Sequence, residues 1–314
     1  MLCKQIIIAI TGPTASGKTG IGVQLAKILE RAEVISVDSR QIYRNMDIGT
    51  AKPTLSEREG IPHHFFDLKD PDQAYSAGDF GKEARKKIEQ LWREDAVPLL
   101  IGGSGLYFQA ALEGLFDDEP DREGIRQEII RRMKKKGLPA LWEELGRENP
   151  VARMGLSPND VPRIVRALEI AYKGGGKEGG GGLEGENPFE CLPLTFCLGM
   201  DRLRLYQRID QRVEEMVDRG LVKEVEGLVE MGYGRGCPGM GTLGYAEILD
   251  FLEGLCSLED AKELIKSRSR KYAKRQMTWF RRDRRLRWLD TDRWDVKGVV
   301  ERVLAQYQAE KSFT

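Results

Sequence analysis

The sequence predicts an α/β fold in which a mostly parallel sheet is flanked by helices, with an all-helical subdomain inserted into it. Three observations predict this. Apolar runs rich in β-branched residues, "QIIIAIT" at 5–11, "EVISV" at 33–37 and "VPLLIGG" at 97–103, have the length and composition of buried strands. Helical patterns at 17–30 and 79–94 alternate with them, as strand–helix–strand units require. Between the first strand and the first helix stands Gly12-x4-Gly17-Lys18-Thr19, a GxxxxGK[ST] phosphate loop in its proper context. That loop makes the expected fold P-loop NTPase-like.

The loop, "GPTASGKT", comprises Gly12, Pro13, Thr14, Ala15, Ser16, Gly17, Lys18 and Thr19. Its glycines let backbone N–H groups converge on phosphate oxygens, Lys18 adds a point charge, and the helix N-terminus adds partial positive charge. The Thr19 hydroxyl is the candidate ligand for Mg²⁺. A nucleotide hydrolase or kinase also wants an acid at the end of another core strand. The strand at 97–103 ends in "LLIGGSG" with none, whereas the second strand ends at Asp38 in "VISVDSRQIY".

Ligands of open parallel sheets bind beyond the carboxyl ends of the strands, so Asp38 is expected on the rim of the phosphate loop. From spacing alone it can be a general base, a Mg²⁺-supporting acid or a cap for the turn that follows. "IGGSGLY" at 101–107 is a second Gly-rich turn after a strand, able to turn N–H groups and Ser104 toward the same cleft.

From 121 to 172 the strand signal vanishes, and "REGIRQEIIRRMKKKG", "LPALWEELGREN" and "SPNDVPRIVRALEIAYK" read as three helices. The expected organisation is a core of residues 1–118 and 190–314, a helical insertion at 119–173, and a flexible Gly-rich loop at 174–189. "LPLTFCLGM" at 192–200 returns to the sheet, helices then dominate, and "LRWLD" at 286–290 adds an edge strand.

Composition narrows the chemistry. At 314 residues with 40% hydrophobic content, the chain can bury a substantial core. The five apolar residues after Gln5 are too few for a signal peptide or an anchor, so a cytoplasmic protein without membrane attachment is expected. Cys3, Cys191, Cys197, Cys237 and Cys256 are scattered without CxxC spacing, which argues against disulfides and zinc. The two histidines, His63 and His64, are adjacent, which excludes a histidine-rich metal site. Fifty basic and 50 acidic residues balance, but "KSRSRKYAKRQMTWFRRDRRLR" at 266–287 has Lys or Arg at half its positions and one acid, Asp283. So many uncompensated cations point to a polyanion.

With "GPTASGKT", "DSRQIYRNMDIGTAKP", "PHHFFDLKDP", "YSAGDF", "GGSGLY", "VPRIVRALEI" and "RKYAKRQMTWFRR" in this order, the chain closely resembles the tRNA dimethylallyltransferase (tRNA isopentenyltransferase) family from residue 10 to about 285. The resemblance implies that the loop holds the diphosphate of dimethylallyl diphosphate rather than a nucleotide. It implies transfer of the dimethylallyl group to N6 of the adenosine 3′ of the anticodon, with Mg²⁺ and the loop stabilising the leaving group. It assigns the base role to Asp38, and gives Lys18 and Ser104 places in the catalytic site.

The same resemblance implies tRNA contacts at Asp38, Ser39, Arg40 and Gln41, at Ser104, which replaces a usual Thr, and at Arg126. It extends them to Pro162, Arg163, Ile164, Val165 and Arg166, where Pro162 replaces a usual Gln. Gly244 and Tyr245 remain from a further segment, in which Gly241 and Ala246 replace a usual Gln and Lys. Arg208 and Arg212 match arginines of which one reaches the diphosphate, while pairing with Asp210, Glu214 or Glu215 is the bland alternative for both. The family's eukaryotic zinc finger has no counterpart in this chain.

Residues 257–285 read as one long helix with Ile265, Tyr272, Trp279 and Leu286 as a docking stripe every seven residues. Arg270, Lys271, Lys274 and Arg275 lie off that stripe and, with Gln276, are expected to face the tRNA. The helical insertion and this helix are expected to grip the anticodon stem-loop from two sides, the protein acting as a monomer. An isopentenyltransferase acting on AMP or ATP is the nearest alternative, but it needs neither feature. A kinase or nucleotide hydrolase lacks its acid, and a non-enzymatic RNA-binding protein would have no use for Asp38 or the loop.

Overall fold

In the computed structural model, residues 5–114, 124–172 and 191–313 are described. Six strands form one sheet: β1 (Ile6–Thr11), β2 (Ala32–Val37), β3 (His63–His64), β4 (Val97–Gly102), β5 (Leu192–Gly199) and β6 (Arg287–Asp290). Their spatial order is β3-β2-β4-β1-β5-β6, and every neighbouring pair is parallel. The register places Ile8 between Leu99 of β4 and Leu194 of β5. β1 can be almost uniformly apolar because helices cover both faces of the sheet.

The helices of the first part are α1 (Lys18–Ile28), α2 (Leu55–Arg58), α3 (Ala77–Arg93) and α4 (Gly105–Leu112). Those of the insertion are α5 (Ile125–Lys136), α6 (Leu138–Glu148), α7 (Pro150–Met154) and α8 (Val161–Tyr172). After β5 come α9 (Arg202–Asp218), α10 (Leu221–Glu230), α11 (Tyr245–Leu252), α12 (Leu258–Phe280) and α13 (Val296–Phe313).

On one face of the sheet Ile8, Ile10, Leu99 and Phe196 pack with Ile21 and Leu25 of α1 and Val299, Val300 and Val303 of α13. On the other, Ile7, Ile35 and Leu100 pack with Phe80, Ala84, Ile88 and Leu91 of α3 and Tyr107 and Phe108 of α4. A third core joins α9 to α12 with the segment after β2 through Ile42, Tyr43, Met46, Val213, Val225, Tyr245, Ile248 and Ile265. Capping boxes start α3 at Ser76 with Asp79 and α12 at Ser257 with Asp260, each reciprocally satisfying orphan backbone donors.

The chain divides into two compact units, Met1–Gly114 with Asn187–Thr314, and Leu115–Glu186. The second has its own core of Ile129, Leu141, Leu145, Ile164, Val165 and Leu168. Its short helix α7 begins at Pro150 and is capped by Asn149, a feature not anticipated from the apolar pattern. The expected Gly-rich loop at 174–189 and the start of the insertion at 119–123 lie outside the described residues.

Two expectations need correction. The basic helix is shorter than 257–285: it ends at Phe280, and turns at 281–285 lead into β6. Its buried seam is Ala261, Ile265, Ser269, Ala273, Gln276 and Phe280. Tyr272 and Trp279 flank that seam and are partly exposed, and Trp279 still docks, its indole lying 2.2 Å from where a Cβ on Gly105 would be. The two-residue edge strand β3 was not expected, since polar His63 and His64 carry no apolar signal.

Candidate functional site

The phosphate loop crosses from β1 to α1 through backbone shapes that its residues permit. Gly12 and Gly17 have φ of 149° and 90°, and a Cβ on Gly12 would lie 3.1 Å from both the Cβ and the carbonyl oxygen of Leu198. Ala15 also takes a left-handed φ of 62°. Lys18 folds back over the loop, its Nζ donating to the carbonyls of Gly12 at 3.0 Å and Pro13 at 2.6 Å. Burial, reinforced by Arg212, lowers its pKa to about 8.

Both arginines of α9 reach this loop. Arg212 donates to the Thr14 hydroxyl at 3.2 Å, and Arg208 Nη2 would lie 3.8 Å from a Cβ on Gly17. Two of the acids that could have neutralised them are used elsewhere, Asp210 by Arg270 and Glu214 by Lys262 and Lys266, while the charge of Glu215 does act on Arg212. Burial lowers the pKa of Arg212, with Arg208 acting in the same sense. Three cations around one loop repel each other unless an anion lies among them.

Asp38, immediately after β2, is the acid whose charge is felt by both Lys18 and Arg212. Its Oδ1 accepts the N–H of Arg40 at 2.8 Å, so it also caps the turn that it begins. Burial raises its pKa, against the opposing pull of the Arg40 N–H and the Lys18 charge. The side chain remains partly accessible, as does Ser39, and Arg40 is exposed. Gln41, in contrast, is a fastener: its Oε1 accepts from Ser36 at 2.9 Å and its Nε2 donates to the carbonyls of Thr50 and Ala51.

Ser104 stands at the N-cap of α4, with its N–H on the carbonyl of Val37, next to Asp38. Its hydroxyl does not cap the helix and is left for another partner. The glycines of "GGSG" serve packing as well as any ligand. A Cβ on Gly103 would lie 2.4 Å from Gln276 Nε2, and one on Gly105 2.2 Å from the Trp279 indole. Gln276 reaches further, accepting from the Thr14 N–H at 2.9 Å and donating to the Gly103 carbonyl at 2.9 Å.

Several residues expected to face tRNA do not. Tyr245 is fully buried, and its hydroxyl donates to Glu224 at 2.6 Å. The same carboxylate accepts the N–H groups of Asp47, Ile48 and Gly49, fixing the turn after the Asp38 segment. The Gly244 N–H is taken by Glu247. Gln276 is buried with both ends of its carboxamide engaged, and Ile164 and Val165 lie in the core of the helical unit. Arg270 differs from these: it stays partly exposed while pairing with Asp210.

Lys271, Lys274 and Arg275 are exposed on α12, as expected. Pro162 and Arg163 are exposed on α8, while Arg126 and Arg166 pair with the buried Glu169 at 3.0 and 3.4 Å. Sequence reasoning missed Glu224, for which an acid on an amphipathic helix gives no signal. It also missed the buried Lys52, bonded to Asp47, Asp67 and the Tyr43 carbonyl.

For a metal, the Thr19 hydroxyl is open at the head of α1, and among the described residues no group of three His, Cys, Asp or Glu can hold an ion. Such a donor set fits a magnesium ion brought in by phosphate oxygens and water, and not a caged one. Among the described residues no helix is long and apolar enough to cross a membrane.

A family model described as IPP transferase matches residues 41–283. The tRNA dimethylallyltransferase of Carboxydothermus hydrogenoformans is 40% identical over 308 residues, 96% of this chain and 97% of that protein. That of Desulforudis audaxviator is 42% identical over 287 residues, 91% of this chain and 92% of its own length. Among solved structures, the full-length tRNA isopentenylpyrophosphate transferase of Bacillus halodurans superposes with a TM-score of 0.71 at 36% identity, covering 99% of both chains. A eukaryotic dimethylallyltransferase captured acting on tRNA gives a TM-score of 0.79 at 29% identity, over 96% of this chain and 78% of that one.

Proposed function

The chain belongs to the IPP transferase family, and on that premise we propose that it transfers the dimethylallyl group of dimethylallyl diphosphate to N6 of the adenosine 3′ of the tRNA anticodon, releasing diphosphate. The observation that carries this reading is the pairing of a cation-crowded phosphate loop with one accessible carboxylate of raised pKa on the same rim. A leaving group and a base are what the reaction needs. The protein works as a monomer in the cytoplasm, on the anticodon stem-loop.

The allylic C–O bond breaks with its electron pair passing to the diphosphate, and a C–N bond forms to N6. Lys18, Arg208 and Arg212 hold the diphosphate and stabilise the charge that grows on it, in a setting of low dielectric where such contacts are strong. Asp38 takes the proton that N6 loses, which an exocyclic amine of low nucleophilicity requires. Burial raises its pKa toward the operating pH, which strengthens it as a proton acceptor. Ser104, beside Asp38, offers a hydroxyl to orient the acceptor nucleotide. Thr19 would ligand Mg²⁺, which when bound adds positive charge to the leaving group.

The exposed cations Lys271, Lys274 and Arg275 on α12 favour a polynucleotide acceptor over free AMP or ATP, since phosphate contacts position an RNA without specifying it. The target adenosine must leave its stack to reach Asp38. The test is release of inorganic diphosphate from dimethylallyl diphosphate with Mg²⁺ present. Release that depends on added anticodon stem-loop, one diphosphate per RNA, is expected; release independent of RNA sinks the proposal.

A further inference from the structure

The Gln276 side chain leaves the RNA-facing surface of α12 and joins the two loops that frame the reaction. It is 6% exposed, whereas its neighbours Lys274 and Arg275 are exposed. Its Oε1 accepts the Thr14 N–H of the phosphate loop, and its Nε2 donates to the Gly103 carbonyl of the Gly-rich turn, both at 2.9 Å. A carboxamide has one acceptor end and one donor end, so these two partners fix its orientation. The fit has no slack, since a methyl group on Gly103 would come within 2.4 Å of Nε2.

Each loop is tied to reacting groups on its far side. Thr14 is also held through its hydroxyl by Arg212. Gly103 leads to Ser104, whose N–H bonds to Val37 next to Asp38. Tyr272, one turn earlier on α12, feels the Asp38 charge. The carboxamide therefore spans the gap between the cradle of the leaving group and the rim that carries the base.

We infer that Gln276 is a positioning residue, which sets the spacing between the phosphate loop and the Ser104–Asp38 rim through its bonds to Thr14 and Gly103. It does not touch RNA. The inference rests on the reading of the loop as a diphosphate site and adds the device that holds donor and acceptor in register. Near-attack geometry tolerates little error, and displacements of about 1 Å cost about a hundredfold in rate.

The test is Gln276→Met, which keeps the volume and removes both bonds. At saturating substrates its kcat should fall about tenfold to a hundredfold, with the Kd for an anticodon stem-loop within about twofold of wild type. A merely structural residue would lower the melting temperature and leave kcat unchanged below it. An RNA contact would raise the stem-loop Kd and leave kcat intact. Either result overturns the inference.

If Gln276→Met does not fold, hydrogen exchange of the wild-type protein decides. The Thr14 amide should be protected in the ligand-free enzyme, and exchange there at the rate of an open loop overturns the bridge. Wild-type transfer is measured first. Its absence sinks the proposed function, whereas an active wild type with an unaffected Gln276→Met sinks only this inference.

Discussion

At the scale of residues the account turns on Asp38. Asp38→Asn keeps the size and the cap on the Arg40 N–H but cannot take a proton, so kcat should fall about a hundredfold to ten-thousandfold. Binding of stem-loop RNA and of dimethylallyl diphosphate should hardly change, and near-wild-type turnover would remove Asp38 from the base role. The pH profile carries a second prediction. Asp38 must be ionised and its pKa is raised by burial, so kcat/KM for the donor should climb with pH through a value above the ordinary carboxylate range. Lys18 must be protonated to hold diphosphate, so kcat/KM should fall again as pH passes about 8. A profile flat from about pH 4 to about pH 9 would contradict both assignments. The phosphate loop and Asp38 were legible in the sequence because their chemistry needs particular residue types next to a strand end. Glu224 was not legible, because nothing local marks an acid whose partners are the Tyr245 hydroxyl and three backbone N–H groups 175 to 177 residues away.

At the scale of elements, α12 shows what a one-dimensional pattern leaves out. A seven-residue stripe through Tyr272 and Trp279 was the readable signal, but the helix packs on Ser269, Ala273 and Gln276, small or polar residues that no apolar count would choose. The complementary signal lay in the glycines of "GGSG", whose missing side chains make room for Gln276 and Trp279. Gly105→Ala tests this directly. The new methyl would sit 2.2 Å from the Trp279 indole, and overpacking of that kind costs about 1–3 kcal/mol. Thermal denaturation should show a drop of several degrees together with lost activity; an unchanged melting temperature would mean that α12 can move away freely. The inner strands β1, β2, β4 and β5, in contrast, were read to within a residue or two, since burial on both faces leaves a nearly unbroken apolar run, whereas the edge strand β3 carried no such signal.

At the scale of the whole molecule, zero net charge conceals a division of labour. Cations on the outer face of α12 are exposed, while those at the phosphate loop are folded in and paired with loop atoms. Raising salt should therefore weaken stem-loop binding steeply, with a log–log slope of about 0.7–0.9 per phosphate contact, while diphosphate affinity changes little. Equal sensitivity of the two would contradict separate roles. Which residues meet the RNA was the least legible part of the site, because matched motifs do not tell a side chain that faces out from one, like Tyr245, that faces in. The central claim is that the loop serves a prenyl leaving group and the acceptor is an adenosine in RNA. The measurement that tests it most directly is mass spectrometry of an anticodon stem-loop, with AMP and ATP in parallel, after incubation with the protein, Mg²⁺ and dimethylallyl diphosphate. A dimethylallyl adduct on the adenosine 3′ of the anticodon alone is the predicted result, and an adduct on AMP or ATP, or none on the RNA, would contradict it.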